Sequence, residues 1–206
     1  MTPDAVLPAR DALLDATYMR GRLARLLMGT SSPTSLPVER VTVMRVKYRP
    51  GESLRVLYRL RLEGQGHLVS SRMRPGGLDA LYAEAQQHEV PSASGEPGRE
   101  SQPSASLRGV AIDRDLSAVF WTFPNDRCLR GTADWAALRA ACAGPVNPAT
   151  ARFEVAGYAP ERAVVFRVGD DDPARPRPDR AGRRGDGGLL PDSSCRATRA
   201  GAAGAR

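Results

Sequence analysis

The stretch Leu54-Arg55-Val56-Leu57-Tyr58-Arg59-Leu60-Arg61-Leu62 alternates between apolar and mainly basic positions. Neighbouring side chains on a β-strand point to opposite faces, so this pattern predicts a long strand with one apolar and one mainly basic face. The chain on either side has to be arranged around it. Just before it, Arg49-Pro50-Gly51-Glu52 predicts a type II turn, because Pro fixes φ at the second position and Gly accepts positive φ at the third. Residues 41–48 are rich in β-branched side chains and predict the strand entering that turn. Gly64-Gln65-Gly66 turns the chain again, and residues 67–73 predict a third strand. Three antiparallel strands in sequence order follow.

Helical spacing flanks this meander. Leu13, Leu14, Tyr18, Leu23, Leu26 and Leu27 form an apolar stripe that predicts a helix over 11–28, with Asp11 as N-cap and Gly29 just past the end. Residues 30–37 predict a loop. Leu78, Leu81, Tyr82 and Ala85 predict a second helix over 78–89. The Ser/Pro/Gly/Glu stretch 91–106 predicts a mobile loop. Residues 108–112 and 117–123 predict a hairpin, and 133–142 a short helix with Trp135 and Leu138 inward. Residues 153–155 and 164–168 predict a last hairpin about Ala159-Pro160-Glu161. Val46-Lys47-Tyr48-Arg49-Pro50-Gly51-Glu52 resembles Ala156-Gly157-Tyr158-Ala159-Pro160-Glu161, with one residue fewer in the second, either as a weak internal repeat or as two generic hairpins. The 38 residues 169–206 hold eight Arg, six Asp and only Leu189 and Leu190 as large apolar groups, too little to offset the entropy of ordering. They predict a disordered tail, and the abrupt change of pattern is what an out-of-frame extension produces. The expected fold class is α+β: an antiparallel sheet with flanking helices, then that tail. The expected division is an N-terminal helix and loop (1–40), an α+β module (41–142), a connector with the start of a second strand-rich unit (143–168), and the tail (169–206).

Charge is concentrated. The net formal charge is +7, and residues 40–74 carry nine cations against Glu52 and Glu63. A face of this kind attracts phosphates of a nucleotide or nucleic acid; its ordinary counterpart is a solvated strand face on which Arg stems cover apolar neighbours. No apolar run approaches the ~20 residues of a membrane-spanning helix, and Arg20, Arg22 and Arg25 interrupt the first apolar runs, unlike a secretory signal. Cys128, Cys142 and Cys195 form no CxxC pair, which argues against a zinc module or a disulfide scaffold. The expected compartment is the cytoplasm.

The order of three strands, helix, two strands and connector, with the segments VKYRPGESLRVLYRL, DALYAEA, AVFWTFPNDRCLRG and VAGYAPERA, resembles the aminoglycoside-phosphotransferase-like small-molecule kinases of the protein-kinase-like fold, over roughly residues 10–165. The resemblance implies either a kinase-like small lobe or a cap module preceding that lobe, with residues 153–168 beginning the lobe itself. It further implies ATP and Mg²⁺ as cofactors and a small-molecule substrate; the residues alone demand no cofactor. In such kinases a third-strand Lys contacts the nucleotide phosphates and pairs with a Glu on the next helix. Arg72 stands where that cation would be and Glu84 lies on the helix, so the pair Arg72 and Glu84 is the implied nucleotide site. The sequence departs from the family in three ways. The third strand has no Lys, Pro50-Gly51 is a tight turn rather than a G-x-G-x-x-G cradle, and neither His67 nor His88 opens a His-x-Asp catalytic loop. No catalytic or metal-binding residue is therefore assigned, and the functional expectation is a truncated phosphotransferase relative, inactive alone. A second expectation, from another class, is a basic module binding nucleic acid or another polyanion through Arg55, Arg59 and Arg61.

Overall fold

In the computed structural model, which describes residues 4–29, 38–87, 89, 107–129, 151–170 and 194–198, two helices lead into the first sheet. They are α1 (Arg10–Leu14) and α2 (Ala16–Met28). A single helix over 11–28 was the expectation; Asp15 divides it. Its backbone is extended at φ −82°, ψ 103°, and its carboxylate accepts from the N–H groups of Thr17 and Tyr18 at 2.8 and 3.0 Å. An Asp that can satisfy the first free N–H groups of a helix favours a cap over a helix interior. Gly29 ends α2 in the left-handed conformation, φ 67°, as its position in the sequence implies.

Three strands follow, β1 (Val38–Arg49), β2 (Ser53–Leu62) and β3 (Gln65–Met73). The Arg49–Glu52 turn closes with the Glu52 N–H on the Arg49 carbonyl at 3.0 Å, and Gly51 has φ 69°. The second turn lies one residue earlier than expected, at Glu63-Gly64, both with positive φ. That two-residue geometry matches the twist of the flanking strands, so Gln65 and Gly66 join β3. Helix α3 (Leu78–Gln86) ends before the expected residue 89. Then come β4 (Val110–Asp113) and β5 (Ala118–Thr122), and the sheet order is β1-β2-β3-β5-β4, antiparallel throughout. A second sheet contains β6 (Ala151–Ala159), β7 (Ala163–Asp170) and β8 (Ser194–Thr198), in that order. The chain is thus α+β with two antiparallel sheets.

The predicted disordered tail needs correction in two places. Gly169 and Asp170 complete β7, and Ser194–Thr198 pairs with β7 from Ala163 to Arg167. A free strand edge offers N–H and C=O groups that pair with an extended segment whatever its side chains, which composition does not register. The expected loops 30–37 and 91–106, the helix 133–142 and the rest of the tail lie outside the described residues.

One core fills the space between the helices and the first sheet. Leu54, Val56, Tyr58, Leu60 and Leu62 of β2 meet Leu13, Met19, Leu23 and Leu27, and all are buried. The Tyr58 hydroxyl donates to the Leu13 carbonyl at 2.7 Å, which holds α1 to the sheet. Arg22 pairs with Asp113 and, at 2.5 Å, with Asp115, tying α2 to the β4–β5 turn. The opposite face of the sheet is covered in two places. Helix α3 sets Leu81 and Ala85 on Val110, Val119 and Trp121. The β6–β7 hairpin sets Tyr158, Val164 and Phe166 against Leu57, with Leu68 and Phe123 alongside. The basic face expected to look outward is therefore partly closed by a second sheet.

Candidate functional site

Register decides which cations share a face. Residues opposite one another across antiparallel strands lie on the same side, and Lys47 is opposite Arg55, which is opposite Arg72, while Arg45 is opposite Leu57. Arg55 and Arg72 are thus like charges directly across a strand pair, an unfavourable arrangement unless something intervenes. Glu161, at the tip of the β6–β7 hairpin, intervenes. Its Oε2 lies 2.7 Å from Arg55 Nη2, and its two oxygens lie 2.8 and 3.0 Å from Arg72 Nη1. Arg127, in the segment after β5, adds Nε at 2.8 Å and Nη2 at 2.6 Å from Oε1. One carboxylate with 3% side-chain exposure collects three guanidiniums.

The backbone at Glu161 is held in an unusual state for this purpose. Ala159-Pro160-Glu161-Arg162 closes with the Arg162 N–H on the Ala159 carbonyl at 3.0 Å, and Glu161 has φ 60°. Positive φ at the third position of such a turn favours Gly, as Gly51 shows in the first hairpin. A non-Gly residue there costs on the order of 1 kcal/mol and persists only where its surroundings compel it. Asp126 supplies part of that compulsion. Its Oδ2 accepts the Glu161 N–H at 2.7 Å and the Tyr158 hydroxyl at 2.6 Å, and its Oδ1 accepts the Cys128 N–H at 2.9 Å. By turn position Glu161 is the counterpart of Gly51, not of Glu52 as the sequence repeat suggests; counting residues misaligns the two turns.

Electrostatics follow from this packing. Burial alone pushes the Glu161 carboxyl up, but Arg127, Arg72 and Arg55 outweigh it and hold the group below its ordinary value. Burial pulls the Arg127 guanidinium down, and the Glu161 charge and hydrogen bond reverse this to a net rise. Arg55 goes the other way: burial, with Arg72 and Arg127 beside it, lowers it despite Glu161. Burial raises the Tyr158 hydroxyl well above its usual value, and the Asp126 charge adds to the effect.

The sequence-derived residues are redistributed by this arrangement. Arg72 takes Glu161 as its carboxylate, while Glu84 takes Arg127 at 2.7 Å, so the expected partners meet only through Arg127. At Arg72, Nη1 is clasped by both Glu161 oxygens. Among the described residues no group of three or more His, Cys, Asp or Glu side chains could hold a metal ion. The three arginines of the polyanion expectation are separated in role. Arg55 is bound to Glu161, Arg61 lies 3.3 Å from Glu39, and Arg59 is exposed. Sequence reasoning missed Glu161, Arg127 and Asp126. The available signal was a Pro-Glu pair at a turn position that favours Gly.

Beside the cluster, where the β1–β2 and β6–β7 hairpins meet, lies an open pocket of about 40 Å³ lined by Arg45, Lys47, Arg55, Val56, Leu57, Ala159, Pro160 and Arg162. Lys47 is lowered from its ordinary value, first by the charge of Arg162, then by desolvation and by Arg49, Arg55 and Arg45. No family model matches the chain, and neither a curated protein nor a solved structure is significantly similar to it.

Proposed function

We propose that this chain, by itself, is a non-catalytic module of the kind found in small-molecule phosphotransferases. It provides scaffold and binding surface rather than phosphoryl transfer. The observation that carries this reading is the commitment of Arg72. The cation at the position that the resemblance assigns to nucleotide phosphates is neutralised internally by buried Glu161. Phosphoryl transfer also needs an Asp to orient the acceptor and Asn or Asp ligands for Mg²⁺. Neither His67-Leu68-Val69 nor His88-Glu89-Val90 supplies that catalytic loop. The element order and the four quoted segments support kinship with these enzymes. The polyanion reading through Arg55, Arg59 and Arg61 has less support, since two of the three already face carboxylates.

The test is turnover. Purified protein with ATP, Mg²⁺ and a panel of aminoglycosides and sugars is expected to release no ADP above a no-protein control. Sustained release that stops when Mg²⁺ is chelated would overturn the reading.

A further inference from the structure

We propose that the pocket between the β1–β2 and β6–β7 hairpins binds the phosphate group of a small ligand, through Arg45, Lys47 and Arg162, with Arg55 in its wall. Four cationic side chains from two strands and a turn line one concave space, and the rest of its lining is apolar. Glu161 is adjacent but shared among three guanidiniums, so it does not also balance Arg45, Lys47 and Arg162. Among the described residues no carboxylate lies within 4.0 Å of those three side chains. The Arg55 Nε is buried and has no hydrogen-bond partner within the protein.

The repulsion is visible in Lys47, whose ammonium is disfavoured chiefly by Arg162. A dianion entering the pocket relieves that repulsion, and guanidinium forks match the geometry of phosphate oxygens. The volume suits a compact group: about 40 Å³ exceeds the ~10–15 Å³ that one water requires. The opening to solvent leaves room for the remainder of a phosphomonoester. Leu57 and Pro160 give the pocket an apolar wall beside its cations.

The experiment titrates the full chain at low ionic strength with inorganic phosphate and, separately, with glycerol 3-phosphate, by calorimetry and by thermal unfolding. Saturable binding with a Kd of about 1 mM or tighter is expected from at least one probe, with a matching rise in Tm. Tighter binding of the ester identifies an organic phosphate as the natural ligand; equal or weaker binding identifies the free ion. Arg45→Ala and Arg162→Ala, both at exposed positions, are expected to weaken binding about tenfold each while leaving the ligand-free Tm unchanged. Arg61→Ala, outside the pocket, is expected to leave the Kd unchanged. Failure of both probes to saturate overturns the proposal, as does binding indifferent to Arg45 and Arg162. Binding of a single-stranded oligonucleotide without binding of either small phosphate also overturns it, in favour of a nucleic-acid surface. Each of these results is independent of whether the chain turns over ATP.

Discussion

At the scale of single residues, Glu161 joins the two sheets through ion pairs to Arg55, Arg72 and Arg127. It is buried, it occupies a backbone state that favours Gly, and it separates Arg55 from Arg72. Glu161→Gln keeps the shape and removes the charge, leaving three guanidiniums facing one another. Breaking a fully buried ion pair costs about 3–5 kcal/mol; here the arginines retain 13–24% side-chain exposure. Water reaching them reduces the expected cost to about 2 kcal/mol, measurable as a fall in the urea midpoint. The pH dependence has a definite sign. The Glu161 carboxyl lies below its ordinary value of 4.5 in the folded chain, so the unfolded chain binds the proton more readily. Its contribution is complete above pH 4.5 and is lost as pH falls through the lower folded value. Wild type is expected to lose stability over that acid range, and Glu161→Gln to show a shallower slope there. Parallel slopes would contradict the role assigned to the carboxylate.

At the scale of elements, what could be read from the sequence tracks how local the deciding interaction is. The alternation of β2, the Pro50-Gly51 turn and the Gly29 helix end depend on neighbours within a few residues, and all appear as expected. The break at Asp15 is also local but was hidden, because the apolar stripe runs past it and an interior Asp gives a weaker signal than a breaker. Its effect can be measured. Asp15→Ala removes two hydrogen bonds to Thr17 and Tyr18 and is expected to cost about 1 kcal/mol. A chemical denaturation midpoint unchanged from wild type would show that α2 does not need this cap. The candidate site was far less legible. Glu161 reaches Arg72 across 89 positions and Arg127 across 34. No periodicity connects residues so far apart, and the basic face of β2 reads the same whether water or a second sheet covers it. Even β8 follows this rule, since its partner is a free edge rather than a pattern in its own side chains.

At the scale of the whole molecule, two sheets with separate ladders are joined, among the described residues, by a small apolar contact, an ionic cluster and the Asp126 hydrogen bonds. The contact places Phe166, fully buried, with Val164 and Tyr158 against Leu57, and Phe123 stacks edge-on with Tyr158 at 5.2 Å between ring centres. The first sheet has a larger core of its own, built from α1, α2 and the apolar face of β2, and does not need the second sheet to bury it. The second sheet has no comparable partner among the described residues, so its order depends on this junction. Unequal dependence of this kind predicts unequal opening, because local stability follows the apolar area and satisfied polar groups each unit would lose. Phe166→Ala removes a large part of the apolar contact, an expected loss of about 3 kcal/mol, while leaving the Glu161 cluster chemically intact. In hydrogen exchange, amides of β6 and β7 should then lose protection well before those of β2, β3 and β5. If instead both sheets exchange together in the variant, the two units fold as one cooperative body. The β6–β7 hairpin would then be part of the primary core rather than a cover fastened over the cationic face.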